Sequence, residues 1–538
     1  MKNTERTNTQ ARVSALAARD SLVSEPTGLV EYRSVGRLVV IGGAESLEFL
    51  RQLKDPLRPQ LLLLDGDIGA APDVVRVAGR EIRISGHMGD FHIQLGEEGR
   101  PGAESLHADL VLDLSPEPLL TMPLKPVGYL TARAEADSLA MAREQLETLC
   151  GVFEKPRFFS YDASRCAHSR SGQPGCNRCV ETCPAEAITG LLESIEVDPY
   201  LCQGGGICAA VCPSGAIRYA YPGPADTLDR LRAMLAAYLV AGGTEPVIAF
   251  VARAEAEQLP DDVPDNVLPF EVEELASVGL DFWLSALAFG ARSVILVKSS
   301  ALPHAVRKAL DEQLAVAGAL LGGLGYPVNT VRIVQPKAVV QECAASMPAI
   351  DPAKYAGLDE KRRVTYMAMD HLAAHASDFN QVCSLPEYAS FGQVIVDPEA
   401  CTLCMSCTSV CPMNALKTGG DTPRLQFCEM NCVQCGICAA ACPEQAIQLE
   451  PRMLFDRDAR RANRTLYEEP PFCCVSCGKP FATQRMVDNM MQRLDGHWMF
   501  QDERARRRLM MCEDCRVVDV VQDKSAMEAG MMPEPNRH

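Results

Sequence analysis

Cysteine supplies most of the visible chemistry, with 24 of them in 538 residues, gathered mainly in three blocks. The clearest block reads CTLCMSCTSVCP, giving Cys401, Cys404, Cys407 and Cys411, and then CVQCGICAAACP, giving Cys432, Cys435, Cys438 and Cys442. Two-residue gaps let three thiolates of one loop converge on one cubane. The fourth cysteine, placed before proline, leaves its loop and ligates the neighbouring cluster. This crossed rule predicts one [4Fe–4S] cluster on Cys401, Cys404, Cys407 and Cys442, and a second on Cys411, Cys432, Cys435 and Cys438. Met413 and Ile437 read as apolar lining.

The block at 166–212 follows the same plan with two alterations. CAHSRSGQPGCNRCVETCP supplies Cys166, Cys176, Cys179 and Cys183, with an enlarged first gap. Loop closure becomes costlier only slowly with length, so Cys166 can still return to the site. CQGGGICAAVCP supplies Cys202, Cys208 and Cys212, with Gly205 where a thiolate belongs. Cys166, Cys176, Cys179 and Cys212 then complete a third [4Fe–4S] cluster, leaving Cys183, Cys202 and Cys208 for the fourth site. Three thiolates suit a [3Fe–4S] cluster; the other readings are a [4Fe–4S] cluster with an exogenous or remote fourth ligand, and an empty site. His168 reads as a polar residue of the enlarged gap.

The third block pairs Cys474-x2-Cys477 with Cys512-x2-Cys515. Two such knuckles face to face form a tetrahedral four-thiolate site, and CGKP resembles the turn of a zinc ribbon. Zinc in a structural role is expected, with a rubredoxin-like iron or a fifth cluster as alternatives and Cys473 as a spare. Cys150, Cys343, Cys383 and Cys428 read as ordinary thiols, Cys428 being the nearest to a cluster loop.

The rest of the composition narrows the class. Hydrophobic residues make up 47% and charged residues 23%, as in a folded chain, and the net charge of −18 argues against a nucleic-acid ligand. No apolar run is long enough for a membrane span, and the N-terminal stretch has neither an apolar signal core nor a twin arginine. The expected location is a reducing cytoplasm, where clustered cysteines hold metal instead of disulfides. VVIGGAESLEF with Asp65 outlines a nucleotide fold but lacks G-x-G-x-x-G, which argues against a bound flavin or NAD. No nucleophile–base pair, P-loop or molybdenum site is readable, so no catalytic residue is assigned.

The elements that must carry these loops read as α/β plus α+β. Two dicluster ferredoxin-like modules join Rossmann- or flavodoxin-like α/β domains and a C-terminal four-cysteine knuckle segment. The expected order is a disordered arm (1–34), a small α/β domain (35–130), a helical linker (131–158) and the first dicluster module (159–222). An α/β domain (225–340), a linker (341–390), the second dicluster module (391–450), the four-cysteine segment (465–520) and a tail (521–538) follow. IEVDPYLC (195–202) and VIVDPEAC (394–401) repeat one device, a strand and an Asp-Pro turn that deliver a cysteine.

ALAFGARSVILV and the VNTVRIV ending resemble the delta subunit of methyl-viologen-reducing hydrogenase, although here that domain has no cysteines of its own. ISGHMGDFHIQL is similar to a stretch of the A subunit of heterodisulfide reductase. The whole order resembles the cytoplasmic multi-cluster ferredoxin proteins that accompany formate dehydrogenases and related reductases. The resemblance implies a non-catalytic electron-transfer subunit passing electrons through about four clusters, with a molybdenum-dependent formate dehydrogenase or another oxidoreductase as redox partner. An assembly scaffold for a metalloenzyme, and a flavin- or nicotinamide-linked oxidoreductase subunit, are the alternative functions.

Overall fold

The computed structural model describes residues 2–523, except 23–27, 67, 69–72, 98, 101, 134, 299–300, 343–346 and 421. Cys343, and the expected tail beyond Asp523, lie outside the described residues. The chain divides into two compact units, Met1–Cys166 with Asn177–Phe379, and Ala167–Cys176 with Asn380–His538.

The first unit opens with helix α1 (Lys2–Asp20), where a disordered arm is expected. Ala11, Ala15 and Arg19 are buried at helical spacing, and α1 packs on α2 (Pro224–Val240). Arg19 donates to the Pro269 carbonyl at 2.9 Å, and Thr9 bonds Asp265 at 2.5 Å. The buried stripe is made of alanines, whose small side chains leave little amphipathic signal in a polar stretch.

Strands β1 (Leu29–Ser34), β2 (Arg37–Gly42), β3 (Arg58–Leu63), β4 (Val74–Arg76), β5 (Leu110–Asp113) and β6 (Tyr129–Thr131) follow. All but β1 form a parallel sheet ordered β4-β3-β2-β5-β6; β1 instead pairs with β7 (Gly151–Pro156). Alternate residues face opposite sides. Leu38, Val40, Leu61, Leu63 and Leu112 pack against Phe49, Ala142 and Leu146 of the flanking helices. Val39, Ile41, Leu62 and Val111 pack against Phe91, Ile93 and Leu95 of the antiparallel sheet over 82–108. Burial on both faces accounts for the unbroken apolar runs, and each buried Leu or Val contributes about 1.5–3 kcal/mol.

A second parallel sheet uses β8 (Val247–Ala252), β9 (Val267–Val272), β10 (Ser293–Val297) and β11 (Val331–Val334), in the order β9-β8-β10-β11. Helices α3 (Leu280–Ala288) and α4 (His304–Gly323) belong to the same domain, with Trp283 fully buried. The expected linker at 341–390 contains α5 (Lys361–Ala374), which packs on α3 through a buried face including Val364, Met369 and Leu372. Between the two sheets, short helices Arg178–Thr182 and Ile207–Val211 carry the first cysteine block.

In the second unit, strands 382–384 and 392–396 flank Ile447–Leu454 in one antiparallel sheet, and 416–419, 422–427 and 464–468 form another. The inserted stretch of the first cysteine block, expected within the first module, belongs to this unit. It folds as a ladder of Ser169–Arg170 with Gln173–Pro174. A side chain at Gly175 would meet Ile437 Cγ1 at 2.6 Å, so the close approach requires glycine.

Asp109, 1% exposed, ties β1, β2 and β5 together. Its carboxylate accepts from the Val35 amide at 2.8 Å, the Arg37 amide at 3.0 Å and the Arg37 guanidinium at 2.9 Å. Asp109→Ala removes the acceptor of the Val35 and Arg37 amides and the partner of the Arg37 guanidinium, and is expected to cost about 1–3 kcal/mol. A thermal unfolding midpoint equal to that of the parent chain would contradict this.

Candidate functional site

Each cysteine loop begins with a strand. Asp397 and Asp198 end their strands in the same turn, accepting from the Glu399 amide at 2.8 Å and the Tyr200 amide at 2.7 Å. Their carbonyls then accept from the amides of Cys401 at 2.9 Å and Cys202 at 3.0 Å. The repeated Asp-Pro motif is therefore a delivery turn that starts both loops in one geometry.

Beyond it the chain turns into the left-handed region at fixed places. Leu403 and Met405 have φ of 55° and 61°, and Gln434 and Gly436 have 54° and 84°. These are the second and fourth positions after Cys401 and Cys432. Such conformations cost non-glycine residues about 1–3 kcal/mol each and persist only where the surroundings over-determine them. The cysteines before proline share a second turn: Glu186, Gly215, Asn414 and Gln445, three residues after Cys183, Cys212, Cys411 and Cys442, all have φ between 49° and 70°.

In the second unit these turns bring the thiols into two cavities. One is lined by Cys401, Cys404, Cys407 and Cys442, with Leu403, Leu425 and Ile447. The other is lined by Cys411, Cys432, Cys435 and Cys438, with Met413, Phe427 and Leu449. Cys411 and Cys442 have exchanged loops, as the crossed pairing requires. Met413 lines its cavity as expected, whereas Ile437 packs on Gly175.

Sulfur atoms in these cavities accept hydrogen bonds. The Ala415 amide donates to Cys411 Sγ at 3.2 Å, the Ala446 amide to Cys442 Sγ at 3.3 Å, and Gln434 Nε2 to Cys432 Sγ at 3.3 Å. Burial, followed by the fields of neighbouring thiols, pushes Cys407 and Cys435 up to about 12 and raises Cys438 further. Cys176, in the same unit, adds to the shift at Cys435. Four crowded thiols resist ionising together, and metal coordination removes that penalty by deprotonating them outright.

A buried ion-pair group fixes the approach to Cys432. Glu429, 3% exposed, accepts from Arg452 at 3.0 and 2.8 Å and from Arg464 at 2.7 Å. Cys428 bonds the carbonyls of Arg460 and Arg461, which gives it a structural role beside the loop.

In the first unit Cys166, Cys179, Cys183, Cys202, Cys208 and Cys212 pack in one core with Phe159, Ile188 and Ile217. Burial, then Cys202, Cys183 and Cys179, push the Cys208 thiol well above its ordinary value. Cys176, expected with Cys166, Cys179 and Cys212, lies in the second unit. His168 shares a 3.2 Å hydrogen bond with the Cys176 carbonyl, consistent with the expected loop role.

Groups distant in sequence brace the Cys202 loop. Lys155 Nζ donates to the carbonyls of Tyr200 and Cys202 at 2.8 and 2.7 Å. His87 stacks on Tyr200 at 4.1 Å, and the Tyr32 hydroxyl donates to the Tyr200 carbonyl at 2.5 Å. The glycine turn containing His87 therefore supports a cysteine loop. Only separation in sequence, by more than a hundred residues, concealed this.

Cys474, Cys477, Cys512 and Cys515 converge with all four Sγ atoms within 4.8 Å of one another. Cys477 and Cys512 are 3.7 Å apart, close to the roughly 3.8 Å separation of thiolates held 2.3 Å from a tetrahedral ion. That spacing fits one ion and is too tight for a cubane, whose ligands reach four separate irons. Burial opposes ionisation of Cys474, but backbone donors at Cys512, Cys477 and Ser476 bring it down to about 6. Cys473 is exposed, as suits a spare.

A model of the 4Fe–4S binding domain matches residues 195–218 and 394–417. No curated protein matches the chain. The two matches make this an iron–sulfur, ferredoxin-like protein with an electron-transfer role, and the first of them includes Gly205. Among the described residues no helix is long and apolar enough to cross a membrane.

Cys512→Ala should lower the metal content by one ion per chain while leaving acid-labile sulfide unchanged. A parallel loss of sulfide would contradict a single-ion site. Glu429→Ala should cost about 3–5 kcal/mol, because it leaves Arg452 without its buried partner. An unchanged unfolding midpoint would refute that role.

Proposed function

We propose that this chain is a cytoplasmic electron-transfer subunit with three [4Fe–4S] clusters, a fourth site of altered ligation beside Gly205, and a C-terminal zinc or iron ion. The observation that carries this reading is the pair of cavities, each walled by four cysteines in crossed order. The first module is assigned Cys166, Cys176, Cys179 and Cys212 on spacing, and its altered site Cys183, Cys202 and Cys208.

When bound, the clusters supply reversible one-electron storage, with potentials set by ligand type, hydrogen bonds to sulfur and exposure. The chain's own residues do the tuning. The amides of Ala415 and Ala446 and the side chain of Gln434 withdraw charge from three sulfurs, which favours the reduced state at those positions. Leu425, Phe427, Ile447 and Leu449 limit water at the cavities. The parallel-sheet domains act as flavodoxin-like scaffolds. The first does not read as a dinucleotide site: a side chain at Gly43, in its first strand-to-helix turn, would meet the carboxylates of Glu45 and Asp65 within 2.6 Å, a setting that repels a pyrophosphate. The C-terminal four-thiolate ion has a structural role, pinning the helix Glu513–Gln522 to the knuckle hairpin.

By resemblance, the partner is a molybdenum-dependent formate dehydrogenase or a related reductase. Protein purified without oxygen should carry about four sulfides per four-iron cluster. It should take up electrons reversibly and pass them to that partner at rates matching turnover. Clusters that stay oxidised under strong reductant, or a colourless preparation without acid-labile sulfide, would overturn the reading.

A further inference from the structure

The loop CQGGGIC lacks its second cysteine but keeps the backbone of a complete cluster loop. Gly204 and Gly206 have φ of 79° and 76°, at the same two positions as Leu403 and Met405 and as Gln434 and Gly436. Gly205 therefore corresponds to Cys404 and Cys435. Packing holds the loop in this shape from several sides. A side chain at Gly206 would meet the Ser277 backbone at 2.4 Å, and one at Gly204 would meet the Phe158 ring at 2.8 Å. The Tyr219 hydroxyl donates to the Gly204 carbonyl at 3.0 Å.

Gly205 differs from its neighbours. It lies outside the left-handed region, and a Cβ built on it meets only Pro184 Cγ, at 4.0 Å. Among the described residues no carboxylate, imidazole or other thiol occupies that space, and Gly205 is half-buried, so solvent reaches it. A Cβ fits there, with a backbone conformation open to L residues. The backbone thus tolerates a ligand at a position where the side chain has been dispensed with.

The open corner points to what can occupy it. Three thiolates carry one negative charge fewer than the four of a complete site and leave the space over Gly205 without a protein ligand. Lys155 on the Tyr200 and Cys202 carbonyls, and Lys361 on the Ala209 and Ala210 carbonyls of the next helix, stand beside the loop, with Asp198 and Asp281 near them. Cluster irons favour soft donors. We infer that the Cys183, Cys202 and Cys208 site is a preformed cubane site whose fourth corner, over Gly205, accepts a small soft anion from solution, of the thiolate or cyanide class. This rests on the iron–sulfur reading above and makes the site a ligand-binding centre as well as a relay.

The test uses the full chain, purified and loaded with iron and sulfide without oxygen, then titrated separately with cyanide and with 2-mercaptoethanol. Electron paramagnetic resonance and Mössbauer spectra should change for one cluster of the four, with its unique iron becoming spectroscopically distinct. Gly205→Cys should abolish the response, or weaken it at least tenfold, while retaining the iron of that site. Gly205→Ala, which also fits the space, should retain the response. If three ordinary clusters are present and reducible but none responds, the inference fails alone. A three-iron centre that takes up no ferrous iron, an iron-free site, or an undiminished response in Gly205→Cys would also overturn it. Absence of all clusters would sink both this inference and the electron-transfer reading.

Discussion

Crowding of buried thiols is the constraint on which the rest of the structure depends. Cys407, Cys435, Cys438 and Cys208 are each pushed upward by burial and by other cysteines. Two or more ionised sulfurs at close range would repel strongly in a low dielectric, so without metal the thiols stay protonated. Iron relieves the repulsion by taking the place of the protons. The fold must gather the thiols where ionising them without metal is unfavourable, and the left-handed residues at 403, 405 and 434 are part of how it does so.

The surroundings of the two modules follow from that need. A cluster loop has almost no regular structure of its own, since helices such as Ile437–Ala440 span a single turn. Rigidity must come from the elements around it. In the second module it comes from an antiparallel sheet and the Glu429 ion-pair group. In the first it comes from segments on either side in sequence, through Tyr32, His87, Lys155, Ser277 and Lys361. Both solutions position sulfur by fixing backbone, which leaves the side chains around each cavity free to set polarity.

The altered loop at 202–208 separates two properties that usually travel together. Its conformation is set by Gly204 and Gly206 and by what packs on them, whereas ligation depends on the residue between them. Losing a thiolate at Gly205 therefore need not disturb the backbone. A family model of the 4Fe–4S binding domain matches this stretch despite Gly205. The C-terminal knuckles use the opposite principle, with four sulfurs drawn tightly about a point and little scaffold beyond a hairpin and short helices.

The grouping of the 401–442 cysteines, the paired knuckles and the parallel-sheet segments were legible from the chain alone, because each depends on residues close together or on apolar runs. Helix α1 was not, and the packing of helix α5 was not. Their buried faces are written in alanines or sit in a stretch with mixed signals, and they become visible only when α2 and α3 cover them. Membership of the 167–176 insertion in the second unit, the bracing of Cys202 by His87, Tyr32 and Lys155, and the open space over Gly205 were decided by tertiary structure. Local sequence specifies which atoms can bind metal, since that is a matter of residue type and short spacing. Which distant groups surround them depends on packing between segments far apart in the chain, and no local pattern encodes it.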